Sequence, residues 1–509
     1  MTRQPVFAAV DIGANSVRLK IAKLNRGRLV TISEDREVTR LGESVFRRGS
    51  LSSEAMAHTV EVLRRFYRSA QRAGAEHVRV VATSALRDAD NAQTFIDWAG
   101  SATGWRVEVI SGLEEGRLIH LALMSGMPVA QRARVLLFDL GGGSCEVTVS
   151  DACEIKYMIS LPLGAVRLTR EFLQHDPPTE IEMERAHAYV AEEVKRIQHH
   201  IAANNIQMAI GTSGTAAALS EVWSKRQKRR LATVPVGAVA RLRDELAKLT
   251  APVRAKIPGI GTRRAEIIVA GAIVFSEILN RFRLPSFRYS DLGLRDGLLA
   301  QMAADYDRGT AFQKRIDAER RTATLAMAKH YGVDLRFAES VRDLALQLFD
   351  ALASVHKLPP EYRDWLAAAA MLHEVGTYVN RTGRHRHSYY LISHSELFGY
   401  SAEQRNIIAA IARYVGRSKP SSENRPVRVL KTTDQLDVRK TVVLLRLARA
   451  MNQSRQNAIK EVSAHYRRDR VWLEFKARSG RGELEIWSLE KEKNYFRDVF
   501  GRELLIAAD

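Results

Sequence analysis

Residues 136–150 of this 509-residue chain read "LLFDLGGGSCEVTVS", an apolar run closed by Asp139 and followed by Gly141, Gly142, Gly143 and Ser144. Small residues let backbone N–H groups approach an anion, and successive N–H groups in a turn form a concave anion nest. An aspartate at a strand end can hold Mg²⁺, which prefers carboxylate together with phosphate oxygen and water. A dinucleotide-binding turn, the phosphate loop of a kinase and part of a phosphatase all use such a loop. A dinucleotide turn needs strand, glycine turn, then helix. Here the residues after the turn, "CEVTVSD", alternate with period two. That pattern predicts a second strand and argues against dinucleotide binding.

The same shape opens the chain. "VDIGANSVRLKI" aligns without a gap onto "FDLGGGSCEVTV" at an offset of 128 residues. Asp11 matches Asp139, Gly13 matches Gly141, Ser16 matches Ser144, and Arg18 matches Glu146. Two such hairpins predict a duplicated domain, with Gly13, Ala14, Asn15 and Ser16 offering N–H groups opposite Gly141–Ser144. A third element, "AIGTSGTAAAL" at 209–219, predicts strand, turn and helix. It places Thr212, Ser213 and Gly214 at a helix N-terminus, where further N–H donors face an anion. Glu114 and Glu115 in "SGLEEGR" read, on their own, as a charge pair at a helix start. None of this separates a kinase from a phosphatase.

The elements that must carry these residues alternate over 1–300 between strand-like runs and amphipathic helical patterns, as in an α/β protein. "VFAAVDIG", "VRLKIAKL", "VRVVATSAL", "VEVISG", "VLLFDLGGG", "CEVTVSD" and "MAIGTSG" read as strands. "SEAMAHTVEVLRRFYRSAQRAG" and "EMERAHAYVAEEVKRIQHHIAANN" read as helices, and "WSKRQKRR" (223–230) as a basic loop or helix end. From about residue 310 helical periodicity dominates. "VWLEF" and "ELEIW" then suggest a small hairpin or sheet near the end. A boundary is placed near residue 305, in "ADYDRGTAFQK", and a further one near 425. These cuts give four domains: 1–125, 126–305, 306–425 and 426–509.

Composition sets broad limits. No apolar stretch reaches the ~18 residues of a membrane span, so no stable membrane insertion is expected. The start runs straight into a strand-like segment without a signal-peptide pattern. Two cysteines, Cys145 and Cys153, make no disulfide framework, and a cytoplasmic setting is expected. The net charge of +20 favours polyanionic partners, or reflects only a solvated basic surface.

The motifs together resemble the exopolyphosphatase/guanosine pentaphosphate phosphohydrolase family. The matching pieces are "DIGANSVRL", "ATSALRDADN", "VISGLEEGRLI", "DLGGGSCEV", "SLPLGAVRLT", "GTSGT", "RRAEIIVAGA" and "DLGLRDG", continued by "MLHEVG…HRHSYYLI". The resemblance implies an α/β N-terminal half of two ribonuclease-H-like domains, of the actin-like ATPase/sugar kinase superfamily. It further implies a mainly α-helical HD-like domain and a small α+β C-terminal part. The implied reaction is hydrolysis of the terminal phosphoanhydride of inorganic polyphosphate, the preferred substrate, or of the 5′ γ-phosphate of guanosine pentaphosphate. An ATP-dependent kinase or ATPase is the remoter alternative. Mg²⁺, or Mn²⁺, and a homodimer are implied too; nucleic acid is not an expected partner.

By the same resemblance Glu115 is the general base, Asp139 and Glu146 hold metal or position water, and Asp11 approaches the metal through water. Glu114 is expected to be solvated or helix-capping. Arg87, in "ATSALRDADN", is the leading phosphate clamp, because guanidinium matches phosphate oxygens with parallel donors; Arg18 and Arg264 follow. Cys145 is expected to be a core thiol. The HD-like segment departs from a working metal site. Its pair reads His373-Glu374, and the preceding helix lacks the expected histidine. His385, His387 and His394 are read as structural or anion-contacting. That domain is expected to be metal-free and to extend the substrate groove through "GRHRHSYYLI" and "RYVGRSKP".

Overall fold

The apolar runs of the N-terminal half assemble into two sheets of matching topology in this computed structural model. It describes residues 4–128, 130–202, 205–229, 231–307, 311–477 and 482–508. Residues 308–310 of the predicted boundary segment and Arg230 of the basic run lie outside them. The chain divides into two units, residues 1–313 and 314–509.

In the first unit, β1 (Val6–Ile12), β2 (Ser16–Asn25), β3 (Arg28–Val38), β4 (His77–Ala82) and β5 (Val107–Val109) form a sheet of order β3-β2-β1-β4-β5. The second sheet has β6 (Arg134–Leu140), β7 (Cys145–Asp151), β8 (Glu154–Leu161), β9 (Met208–Thr212), β10 (Thr233–Pro235) and β11 (Ser286–Tyr289). Its order is β10-β11-β9-β6-β7-β8. Each sheet is an antiparallel three-strand meander, β1–β2–β3 or β6–β7–β8, extended by two parallel strands beside its first member, and β10 adds an antiparallel edge to the second. The sequence repeat is therefore a repeat of topology. β3 escaped the sequence reading because it is an edge strand with mostly exposed or half-buried residues, which removes the alternating signal.

The helix Ser53–Arg72 starts on a Ser52 cap and buries Met56, Val60, Leu63, Phe66 and Ala70 at three- and four-residue spacing. The long run at 182–205 is two helices, Glu180–Arg196 and Gln198–Ala202, separated at Ile197; Ala203 and Asn204 lie outside the described residues. The two sheets fall on either side of the 125/126 cut, but one later helix crosses back over it. The helix Leu294–Tyr306 returns to the first sheet: Arg295 Nη1 donates to the Leu19 carbonyl at 2.9 Å, and Asp296 pairs with Lys20 at 2.8 Å.

In residues 314–509 one hydrophobic core runs from Met327 to Leu504 and crosses residue 425 without interruption. The terminal sheet is β12 (Ile459–Arg467), β13 (Arg470–Ala477) and β14 (Glu503–Ala508), in that order. "VWLEF" lies in β13, but "ELEIW" does not form its partner; it lies in the helix Glu483–Glu490. That helix buries Glu485, Ser488 and Leu489 at helical spacing. Five alternating residues are too short a window to exclude a helix. No helix among the described residues is long and apolar enough to cross a membrane.

Candidate active site

The two glycine hairpins have the same internal construction. In the first, Gly13 N–H donates to the Ser16 carbonyl at 3.1 Å, and Asp11 pairs across the strands with Arg18. In the second, Gly141 N–H donates to the Ser144 carbonyl at 3.0 Å, and Asp139 pairs with Glu146. The first glycine of each loop thus uses its N–H inside the turn. The N–H groups of Asn15, Gly142 and Gly143 donate to no backbone carbonyl among the described residues. Gly143 is required by close packing, since a Cβ there would lie 2.3 Å from Ser84 Oγ.

Between the hairpins lies a cleft of about 540 Å³ lined by Asp11, Gly13, Asn15, Ser16, Arg18, Glu115, Asp139, Gly141, Gly142, Ser144, Ser213, Gly214 and Arg264. Sequence reading selected these residues, but not the acids Glu34, Asp35, Glu221, Asp291 and Asp296 that share the lining. Glu115 enters on the helix Gly112–Gly126, capped by Ser111, whose side chain accepts from Glu114 N–H at 3.1 Å. Glu115, Asp139 and Glu146 each bring a carboxylate oxygen within 4.8 Å of the others. Among the described residues this is the one group of three potential metal ligands, so His385, His387 and His394 do not form such a group.

Burial of like charges dominates the electrostatics. Burial pushes the Glu115 carboxyl well above the usual range, and the neighbouring Glu146 charge adds to it against the pull of Arg87. Glu146 rises to about 7, by burial and then by Asp139, opposed by Arg87, Ser144 and Ser160. Asp139 and Asp11 are raised by burial as well. Glu146 Oε1 accepts from Ser160 Oγ at 2.8 Å, whereas its buried Oε2 has no hydrogen-bond partner. An unpaired carboxylate oxygen among three converging carboxylates suits a hard divalent cation such as Mg²⁺ or Mn²⁺, which favours oxygen ligands.

Several predicted residues stand behind the cleft wall. Arg87 donates through Nη1 to Glu115 Oε2 at 3.1 Å and the Ile110 carbonyl at 2.9 Å, and through Nη2 to Ser144 Oγ at 3.2 Å. The predicted phosphate clamp is thus engaged in holding Glu115. Thr212 donates its hydroxyl to Asp139 Oδ1, and Ser213 donates to the Leu140 carbonyl. Glu114 is neither solvated nor a cap: Arg117, itself buried, grips both its oxygens at 2.8 Å and also reaches Gln301. Cys145 packs in the core of the second sheet, and burial pushes its thiol well up.

Several arginines line the same cleft. Arg264 lies over the start of the helix Ser213–Arg226, so closely that a Cβ on Gly214 would fall 1.2 Å from Nη2. Two sources of positive potential, guanidinium and helix N-terminus, converge there. Burial, with Arg36 and Arg18 nearby, lowers Arg264 to about 9. Sequence reading missed Arg36 and Arg295, which line the same cleft. Arg295 had a signal, its place in "DLGLRDG"; Arg36 had none.

In the second unit, His373 is buried with Nδ1 2.7 Å from the Ala370 carbonyl, and burial holds it down at about 4. Glu374 is bridged to Arg455 at 2.5 Å. His385 falls to about 3 through burial and the charges of Arg384 and Arg449. His394 stacks on Tyr390 at 4.4 Å.

Comparison with known proteins agrees with this geometry. Residues 20–305 match the model of the Ppx/GppA phosphatase family, and residues 320–497 that of Ppx/GppA phosphatase, domain III. A guanosine-5'-triphosphate,3'-diphosphate pyrophosphatase of Aliivibrio fischeri is 26% identical over 98% of both chains. The solved Aquifex aeolicus member of the Ppx/GppA family is 30% identical with a TM-score of 0.52, over 60% of this chain and 99% of that one. An exopolyphosphatase from Cytophaga hutchinsonii gives 26% identity and a TM-score of 0.56, over 60% of this chain and 99% of its own. The duplicated sheets, the paired loops and the carboxylates between them are thus those of a chain that belongs to the Ppx/GppA phosphatase family.

Proposed function

We propose that this chain hydrolyses the terminal phosphoanhydride of inorganic polyphosphate and releases orthophosphate. Family membership makes it a phosphoanhydride hydrolase. The observation that carries the finer reading is one cleft in which Glu115 and Asp139, grouped with Glu146 within 4.8 Å, meet the four guanidinium groups of Arg18, Arg36, Arg264 and Arg295, while the lining acids Glu34 and Asp296 are paired with Lys20. Such a cleft suits a substrate whose reacting phosphorus sits near the carboxylates while further phosphates extend over cations.

Glu115 takes a proton from the attacking water as its oxygen bonds to the terminal phosphorus in line with the bridging oxygen. The bridging P–O bond breaks, and the shortened chain leaves with the electron pair. A carboxyl raised by burial and held by Arg87 is a stronger base for that task. The free N–H groups of Asn15 and Gly142, both of which line the cleft, take the non-bridging oxygens, where charge spreads. A Mg²⁺ or Mn²⁺ ion held by Asp139 and Glu146, with Asp11 through water, would supply charge neutralisation. Guanosine pentaphosphate is the second reading, favoured by the name of the Aliivibrio fischeri relative that matches nearly the full chain.

The test is phosphate release measured side by side on long polyphosphate, guanosine pentaphosphate and ATP. Fastest turnover on polyphosphate is expected. The Glu115→Gln variant should lose at least about 100-fold in kcat, the usual share of a positioned base. Near wild-type release by that variant would refute the role of Glu115, and ATP as the best substrate would revive the kinase-type reading.

A further inference from the structure

Arg36 lines the cleft from β3, and no salt bridge joins its guanidinium to a carboxylate among the described residues. Cross-strand register places it relative to the reaction centre. Asp11 pairs with Arg18, and Arg18 pairs in turn with Arg36. Directly paired residues share one face of a sheet, and neighbouring strands lie about 4.8 Å apart. Asp11, Arg18 and Arg36 therefore form a row that leads away from the carboxylates over roughly 10 Å.

The chemistry of Arg36 is that of a donor without an acceptor. Its Nε and Nη2 atoms are buried and have no hydrogen-bond partner. These two nitrogens form the edge with which guanidinium grips two oxygens in parallel. Arg117 uses that edge on Glu114, and Arg363 uses it on Asp350. The acid whose charge reaches Arg36 is Asp11, which also faces Arg18 and Arg295, and Glu34 is taken by Lys20 at 2.9 Å and Arg295 at 3.5 Å. Arg18, Arg263 and Arg295 add like charge around Arg36, which, together with burial, lowers it to about 10. An anion drawn into this group would meet an unspent donor edge and relieve repulsion among cations.

Resting on the proposed hydrolysis of phosphate chains, we propose that Arg36 binds a phosphate of the leaving chain beyond the scissile anhydride and selects long phosphate runs over triphosphates. With the terminal phosphate at the carboxylates, the next phosphates pass Arg18 and then reach Arg36. A triphosphate ends before that point, and a nucleoside triphosphate places an uncharged sugar there. Arg36 is thus a specificity residue for the leaving side of the bond and takes no part in proton transfer.

The experiment compares the wild-type chain with Arg36→Gln and Arg36→Lys on long polyphosphate and on tripolyphosphate. For long polyphosphate the Gln variant should raise KM roughly tenfold, as expected for loss of a charge-assisted contact, with kcat within about twofold. Lys should restore part of the loss, because it keeps the charge without the fork. KM for tripolyphosphate should stay unchanged. Equal KM shifts on both substrates, or no shift, would overturn the proposal. Equilibrium binding of long polyphosphate to Glu115→Gln protein gives a readout independent of turnover. Adding Arg36→Gln should weaken that binding and reduce its salt slope by roughly one; unchanged affinity overturns the Arg36 subsite. Absence of any polyphosphate hydrolysis by the wild type would sink the proposed function instead, while the binding measurement would still decide on Arg36.

Discussion

At Glu115 and Glu146 two buried carboxylates share one small volume, and Arg87 is the cation that moderates both. The base must be deprotonated to act, and burial raises the Glu115 carboxyl, so kcat/KM should rise with pH as that group loses its proton. Arg87 lowers both groups. Arg87→Gln should therefore move the rising limb to higher pH, and an unmoved limb in the pH profile would contradict the pairing. Stability follows the same linkage. Glu146 holds its proton more tightly in the fold, at about 7 against an ordinary 4.5. The metal-free protein thus loses stability as pH rises across that interval. Glu146→Gln should leave stability nearly unchanged at pH 4 and raise it at pH 8. Urea unfolding with chelator present at both pH values measures this, and equal effects at both would refute it.

At the scale of elements, the helix Gly112–Gly126 sets the position of Glu115, and its anchor is Arg117. That side chain is 1% exposed, grips Glu114 through two nitrogens and reaches Gln301 on the helix Leu294–Tyr306. The second helix also supplies Asp296 and Arg295 to the cleft wall, so one packed pair of helices carries the base and part of the cationic lining. Removing the cation strands a carboxylate only 12% exposed, with Arg79 as the remaining nearby cation, which costs up to about 3–5 kcal/mol. Arg117→Met should lose stability on that scale in urea unfolding. A loss below about 1 kcal/mol would mean that Glu114 finds water or another partner.

For the molecule as a whole, the cores of residues 1–313 and 314–509 are distinct sets of side chains. The cleft residues all belong to the first set. The solved Aquifex aeolicus and Cytophaga hutchinsonii relatives match only 60% of this chain while being covered almost end to end. Residues 1–313 alone should therefore fold and release phosphate from tripolyphosphate within about tenfold of the full chain. Circular dichroism and the phosphate assay check this together; a folded but inactive fragment would assign part of the reaction to residues 314–509.

Much of the site was legible because it is local. The turns at Gly13 and Gly141 close within three residues, so their donors and flanking acids are written in one short stretch each, and the repeat exposed their kinship. The alternation of "CEVTVSD" survives the burial of β7 because its two faces differ: Cys145, Val147 and Val149 pack in the apolar core, whereas Glu146 and Ser150 meet the polar partners Ser160 and His120. Where a reading leaned on a short window it failed: "ELEIW" alternates, yet its helix is selected by burial of Glu485, Ser488 and Leu489. Glu114 was misjudged because its partner network ends at Gln301, far along the chain. By itself the sequence determined the hairpins, the order of the elements and the chemical types that could meet an anion, since spacing and hydrogen bonding act over a few residues. Tertiary structure alone decided that carboxylates from residues 115, 139 and 146 converge within 4.8 Å. It also decided that Arg36 stands in line with Asp11. Those distances come from how strands register and helices pack, and no local spacing encodes them.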